Sequence, residues 1–145
     1  SQLDRFLLRL NLGYPDRDAE RALLAGSDRR TLIAETVPRL GAEDLKALRE
    51  AVSGIHASAA LIDYVQALLA RSRQHPGVRV GLSPRAGLAL LRASRAFALL
   101  QGRDHALPDD VQTLFPLIAT HRLVADADAA IDGLADSILQ AVPVD

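Results

Sequence analysis

The sequence predicts an all-α fold, a helical bundle, preceded by one strand segment that has no evident partner. Of the 145 residues, 49% are hydrophobic but only 3% aromatic, so the core must be built from Leu, Ala, Ile and Val, a mixture that favours packed helices over sheets. Apolar residues recur at steps of three and four between capping residues, Gly and Pro, the rhythm of amphipathic helices. A period of two is sustained over residues 3–12, where Phe6, Leu8, Leu10 and Leu12 fall on one side and Leu7, Arg9 and Asn11 on the other, the pattern of a half-buried strand.

The balance of charge limits the function classes. Seventeen basic against 18 acidic residues leave a net charge of −1, so neither nucleic acid nor an anionic membrane is attracted to the chain as a whole. Any anion site has to be local. Without cysteine there are no disulfides, thiolate nucleophiles or Cys-bound zinc, which suits a cytoplasmic protein. No apolar run approaches the length that spans a bilayer. Methionine is absent, position 1 included, and the chain is therefore expected to be a piece of a longer or processed product.

The strand needs neighbours, and the short candidates at Ile55–Ala57 and Val78–Val80 do not supply a sheet. It is expected to belong to a sheet formed mostly by residues upstream, and here to pair with another chain, to fold onto the bundle or to lack order. Gly13-Tyr14-Pro15-Asp16 reads as the turn into a second domain, giving a division into residues 1–16 and 17–145. A short helix comes next over Arg17–Ala25 and stops at Gly26, leading into a polar loop through Arg39. Leu45, Leu48, Val52 and Ile55 mark a helix from Ala42 to Ser53, closed by Gly54. Ser58 caps the next, with Leu61, Ile62, Val65, Leu68, Leu69 and Ser72 at helical spacing before His75-Pro76-Gly77 stops it. Val78–Val80 is a brief extended link.

The strongest helical pattern begins at Gly81-Leu82-Ser83-Pro84-Arg85-Ala86 and runs to Gln101. Ser83 suits the N-cap and Pro84 the first helical position, where no N–H is required. Ala86, Leu90, Ala93, Phe97 and Leu100 form one face, broadened by Leu88, Leu91, Ala98 and Leu99, as in a central buried helix. Arg85, Arg92 and Arg95 share a narrow basic strip. Pro108-Asp109-Asp110 opens another helix through His121, with Val111, Leu114, Phe115 and Ile118 inward. A last helix over about Asp126–Ala141 turns Ile131, Leu134, Ala135, Ile138 and Leu139 to the core, and Val142-Pro143-Val144 ends it.

Few residues could carry chemistry. The phosphate-cradling pattern G-x-x-x-x-G-K-[ST] is absent, and His56, His75, His105 and His121 occur in no metal-binding spacing. They read as caps and surface groups, and no metal site is expected. Asp109 and Asp110 are adjacent and so point about 100° apart on a helix, which fits a helix start better than an acid/base pair. Arg85 stands out. A cation in the first turn opposes the partial positive charge of the helix end, and the arrangement makes sense if an anion docks on the free N–H groups and the guanidinium together. A plain surface arginine is the alternative. Arg5, beside Asp4 and Phe6 at the start of the strand, could likewise hold a guanidinium at a domain surface or be a solvated strand-end residue.

Leu3-Asp4-Arg5-Phe6, Leu12-Gly13-Tyr14-Pro15-Asp16, Gly81-Leu82-Ser83-Pro84-Arg85-Ala86, Gly102-Arg103-Asp104, Pro108-Asp109-Asp110-Val111 and His121-Arg122-Leu123, in this order, resemble the C-terminal part of MoxR-family AAA+ ATPases. The resemblance extends over nearly the whole chain, to Ile138-Leu139 and Val142-Pro143-Val144. It implies that residues 1–16 close the AAA+ core and 17–145 form its helical lid. It further implies that Arg5 is the arginine finger, reaching the γ-phosphate in a neighbouring subunit, and that Arg85, with Ser83 and Pro84, is sensor 2, reaching phosphates bound in its own subunit. The two would act on opposite sides of a subunit interface. The parent would be a hexameric ATPase using ATP and Mg, chaperone-like, working beside partners with a von Willebrand factor A domain. Walker A, Walker B and sensor 1 are missing here, so the fragment alone is expected to bind no cofactor and hydrolyse nothing. A stand-alone helical protein-interaction or DNA-binding module is the competing reading, since an arginine strip could enter a groove. The acidic balance and the lack of a broad basic face weigh against nucleic acid.

Overall fold

The computed structural model describes residues 2–26, 33–127 and 133–144. The described helices are α1 (Arg17–Ala25), α2 (Ala42–Gly54), α3 (Ala59–Gln74), α4 (Pro84–Leu100), α5 (Pro108–Ala119) and α6 (Leu134–Gln140), with a two-stranded ribbon of β1 (Val78–Val80) and β2 (Val124–Ala125). The predicted starts of α1 to α5 hold, whereas the last helix, expected from about Asp126, is not helical at Asp126 and Ala127, and α6 starts at Leu134 after Gly133, whose backbone is left-handed (φ 85°). Asp16, Ser58 and Ser83 accept hydrogen bonds from the N–H groups of Ala19, Leu61 and Ala86, satisfying donors that a helix start leaves free.

Helix α4 is central: it packs on α2, α3 and α5, and α5 packs in turn on α6. Its inward face is Ala86, Gly87, Leu90, Ala93, Ser94 and Ala98. Small residues let the neighbouring helices approach, and Gly87 is one place where this is enforced, since a Cβ there would lie 2.7 Å from Leu69 Cδ1. Leu100, assigned to the inward face, and Leu88, expected to broaden it, are exposed. The face of α3 is also rotated slightly from expectation: Tyr64 is buried and Ile62 is not. From α5, Val111, Leu114, Phe115 and Ile118 all enter the core, as do Leu134, Ala135 and Ile138 from α6. Ile131, assigned inward, lies outside the described residues.

The link Val78–Val80 pairs antiparallel with Val124–Ala125 through an irregular register, tying the end of α3 to the segment after α5. A parallel bridge between His56 and His105 joins the α2–α3 and α4–α5 connections. His75 closes the end of α3. His75 Nδ1 accepts the N–H of Gly77 at 3.1 Å and its Nε2 meets Ser137 Oγ at 3.1 Å.

The strand expected over residues 3–12 is not formed. Gln2–Arg5 is a short 3₁₀ turn, after which the chain runs without regular structure along the bundle, the N–H of Arg9 donating to the carbonyl of Leu117 at 2.9 Å. Among the described residues no strand lies alongside to pair with it. Of the alternating row, Leu8 packs against the core, whereas Phe6, Leu10 and Leu12 are 64%, 64% and 94% exposed.

Candidate functional site: an arginine-lined depression

The start of α4 is held rigidly from behind. The hydroxyl of Ser72, fully buried at the end of α3, accepts the N–H of Leu82 at 2.9 Å and donates to the carbonyl of Leu69. Arg73 Nε donates to the carbonyl of Leu82 at 2.9 Å. Gly81 sits so close to α3 that a Cβ would lie 2.7 Å from Arg73 Cα, and no larger residue fits without moving backbone. These contacts set the position of Ser83, whose hydroxyl is engaged by the N–H of Ala86, and of Pro84 at the first helical position.

Arg85 projects from that first turn into solvent. Together with Asp4, Arg5, Leu7, Leu88, Ala89, Arg92 and Arg122 it lines an open depression of about 780 Å³. Arg5, Arg85 and Arg92 are exposed, and among the described residues none of the three has a side-chain hydrogen-bond or ion-pair partner. The one carboxylate in the wall, Asp4, is already paired, its Oδ1 lying 3.1 Å from Arg122 Nε. Three unpaired guanidinium groups beside a helix N-terminus form a surface complementary to a multiply charged anion. Phosphate oxygens fit this donor set. A divalent cation suits the lining less, since its charged groups are four arginines and one carboxylate, Asp4, already paired with Arg122.

The depression brings Arg5 and Arg85, assigned from sequence to opposite sides of a subunit interface, into the walls of one concavity. Ser83 and Pro84 do not line it; they form the helix start that presents Arg85.

Arg122 has no role assigned from sequence beyond its place in the His121-Arg122-Leu123 motif. Its side chain is 3% exposed, and it fastens the Arg5 segment to the end of α5. The only signal for it was that adjacent His and Arg come just after a helix C-terminus, where cations are favoured.

A second ion pair stabilises the loop at the far end of α4. Arg103 Nη1 and Nη2 grip Asp110 Oδ2 and Oδ1 at 2.8 and 2.6 Å, and Asp110 Oδ2 also accepts the N–H of Leu107 at 2.8 Å. Burial pushes the Asp110 carboxyl up, but the Arg103 guanidinium and the Leu107 N–H outweigh it and hold the group below its ordinary value. The pairing and cap confirm that Asp109-Asp110 is a helix start.

Residues 70–142 match the AAA lid domain family, and the chain belongs to that family. Its similarity reaches further, to MoxR-type proteins. It is 35% identical over 143 residues to the uncharacterized protein YeaC of Bacillus subtilis, covering 98% of this chain and 45% of that protein. It is 33% identical over 148 residues to Chaperone MoxR1 of Mycobacterium tuberculosis (96% and 39%) and 32% identical over 168 residues to Protein MoxR of Paracoccus denitrificans (97% and 49%). The fold is that of a candidate ATPase from Cytophaga hutchinsonii, with a TM-score of 0.82 at 22% identity, covering 99% of this chain and 48% of that one. The chain thus spans about half the length or less of the relatives it matches. No helix among the described residues is long and apolar enough to cross a membrane.

Proposed function

We propose that this chain is the lid and terminal core segment, residues 17–145 and 1–16, of a MoxR-type ATPase, and that its arginine-lined depression faces nucleotide phosphates. The observation that carries the reading is Arg85: an exposed, unpaired guanidinium in the first turn of a firmly anchored helix, with Arg5 and Arg92 on the same concavity. ATP supplies the anion and the γ-phosphoryl group, and Mg2+ is assigned to ligands outside this chain. Arg85, as sensor 2, donates to the phosphates and draws the lid toward them. Because it makes those contacts only when nucleotide is present, it gives the difference in binding energy that a lid movement requires. Arg5, as the arginine finger, neutralises charge developing on the γ-phosphoryl oxygens, an effect worth about 10³–10⁵ in rate in phosphoryl-transfer enzymes.

The parent would act as a ring of subunits, a cytoplasmic, chaperone-like machine with partners carrying a von Willebrand factor A domain. In the trans arrangement Arg5 serves the neighbouring subunit's nucleotide. The shared depression favours a second arrangement, in which Arg5 and Arg85 meet the same polyphosphate. Steady-state ATP hydrolysis by the parent with Arg5→Ala and Arg85→Ala separately tests the reading: each variant is expected to lose at least tenfold in rate, and wild-type rates for both would overturn it. Mixing the two variants separates the arrangements. A finger acting in trans restores activity in mixed rings, because some sites combine an intact Arg85 with a neighbour's intact Arg5; a finger acting in cis does not.

A further inference from the structure

The geometry points to Arg122 as the residue that positions Arg5, fixing its segment to the end of α5. The inference rests on the reading of Arg5 as a phosphate-facing group. The five N–H donors of a guanidinium lie in a plane with fixed directions, and in Arg122 all of them meet oxygen. Nε donates to Asp4 Oδ1 at 3.1 Å, Nη1 to the carbonyls of Leu7 at 3.1 Å and Ile118 at 2.8 Å, and Nη2 to the carbonyl of Phe6 and, at 3.5 Å, to that of Asp4. Four of these five acceptors belong to Asp4, Phe6 and Leu7, the residues that bracket Arg5. The fifth is in the last turn of α5, where the negative end of the helix favours a cation.

His121 completes the bracket, its Nε2 lying 3.1 Å from the carbonyl of Phe6, so that oxygen accepts from two consecutive side chains. Arg5 itself is left free and exposed. The backbone on either side of it is immobilised while its guanidinium is not engaged, the arrangement expected of a group that must reach a ligand from a defined origin. The anchor continues inward. Ile118 is fully buried, and α5 packs along α4, whose first turn carries Arg85.

The test is ATP hydrolysis by the parent enzyme with Arg5→Ala, Arg122→Ala, Arg122→Lys, Asp4→Ala and the double variant Arg5→Ala/Arg122→Ala, reading kcat and KM separately, with thermal melts as the folding control. A shift of about 1 Å in a catalytic group costs on the order of 10²-fold. Arg122→Ala is thus expected to lower kcat by about 10–100-fold with KM within about twofold. Arg122→Lys should fall between it and wild type, since one ammonium cannot serve all five oxygens. The double variant should be no slower than Arg5→Ala alone. If Arg122→Ala fails to fold, Asp4→Ala carries the test, with a several-fold loss in kcat at unchanged KM. A slow Arg5→Ala beside wild-type kcat in the Arg122 and Asp4 variants overturns the positioning role, as does a double variant whose losses multiply. Wild-type kcat in Arg5→Ala overturns instead the reading of Arg5 on which it rests.

Discussion

Arg85 lies where the local electrostatics disfavour it, with no partner among the described residues to offset the repulsion. Removing it should therefore cost this chain no stability: Arg85→Ala is expected to melt within about 0.5 kcal/mol of wild type, or slightly above it, in a thermal denaturation of the fragment. Asp110 is the opposite case, because its carboxylate is gripped by Arg103 and caps Leu107. Its folded value is lowered, so the stability it contributes is present above the unfolded carboxylate value of about 4 and is lost as pH falls through the lower folded value. Urea titrations across pH should show wild type losing stability below about pH 4. Asp110→Asn should be less stable at neutral pH by about 1–2 kcal/mol, with a flatter acid limb. Arg85 could be read from sequence because its oddity is local, a cation at a helix start. Arg122 could not, since its partners stand up to 118 positions away and only the fold brings them together.

The starts of α1, α3 and α4 were legible because cap, first-turn residue and apolar spacing agree there, whereas α6, which has no side-chain cap, starts later than the Asp126 expected for it. The strand was not legible, because alternation describes an extended chain without saying what pairs with it, and here Arg122 and His121 occupy carbonyls that a ladder would have used. Ser72 shows a subtler limit: spacing placed it correctly on the inner face of α3, yet its role, bonding the N–H of Leu82, depends on a segment beyond the helix. That joint is sensitive to volume. Gly81→Ala must push a Cβ against the α3 backbone and is expected to cost about 1–3 kcal/mol, measured as a lowered denaturation midpoint. Leu90→Ala, in the middle of α4 at 1% exposure, should cost about 2–5 kcal/mol by leaving a cavity.

Among the described residues, burial is concentrated in the span from α3 to α6. Helix α1 has no buried residue, and Leu10, Leu12, Tyr14, Leu23 and Leu24 stand exposed along the first part of the chain. Nine residues of helix without tertiary packing are marginal in water, so native-state amide exchange of this fragment should find α1 close to unprotected and the α4–α5 pair slowest. Protection of α1 equal to that of α4 would show that a partner covers it. Exposed apolar surface beside an anchored arginine cluster is what a lid would present to a nucleotide-binding core. The central claim, that Arg85 meets nucleotide phosphate, is tested most directly by the equilibrium affinity of the parent protein for ATP with and without that side chain. Arg85→Ala is predicted to weaken ATP binding by about tenfold or more, a loss of about 1.4 kcal/mol; affinity within twofold of wild type would contradict it.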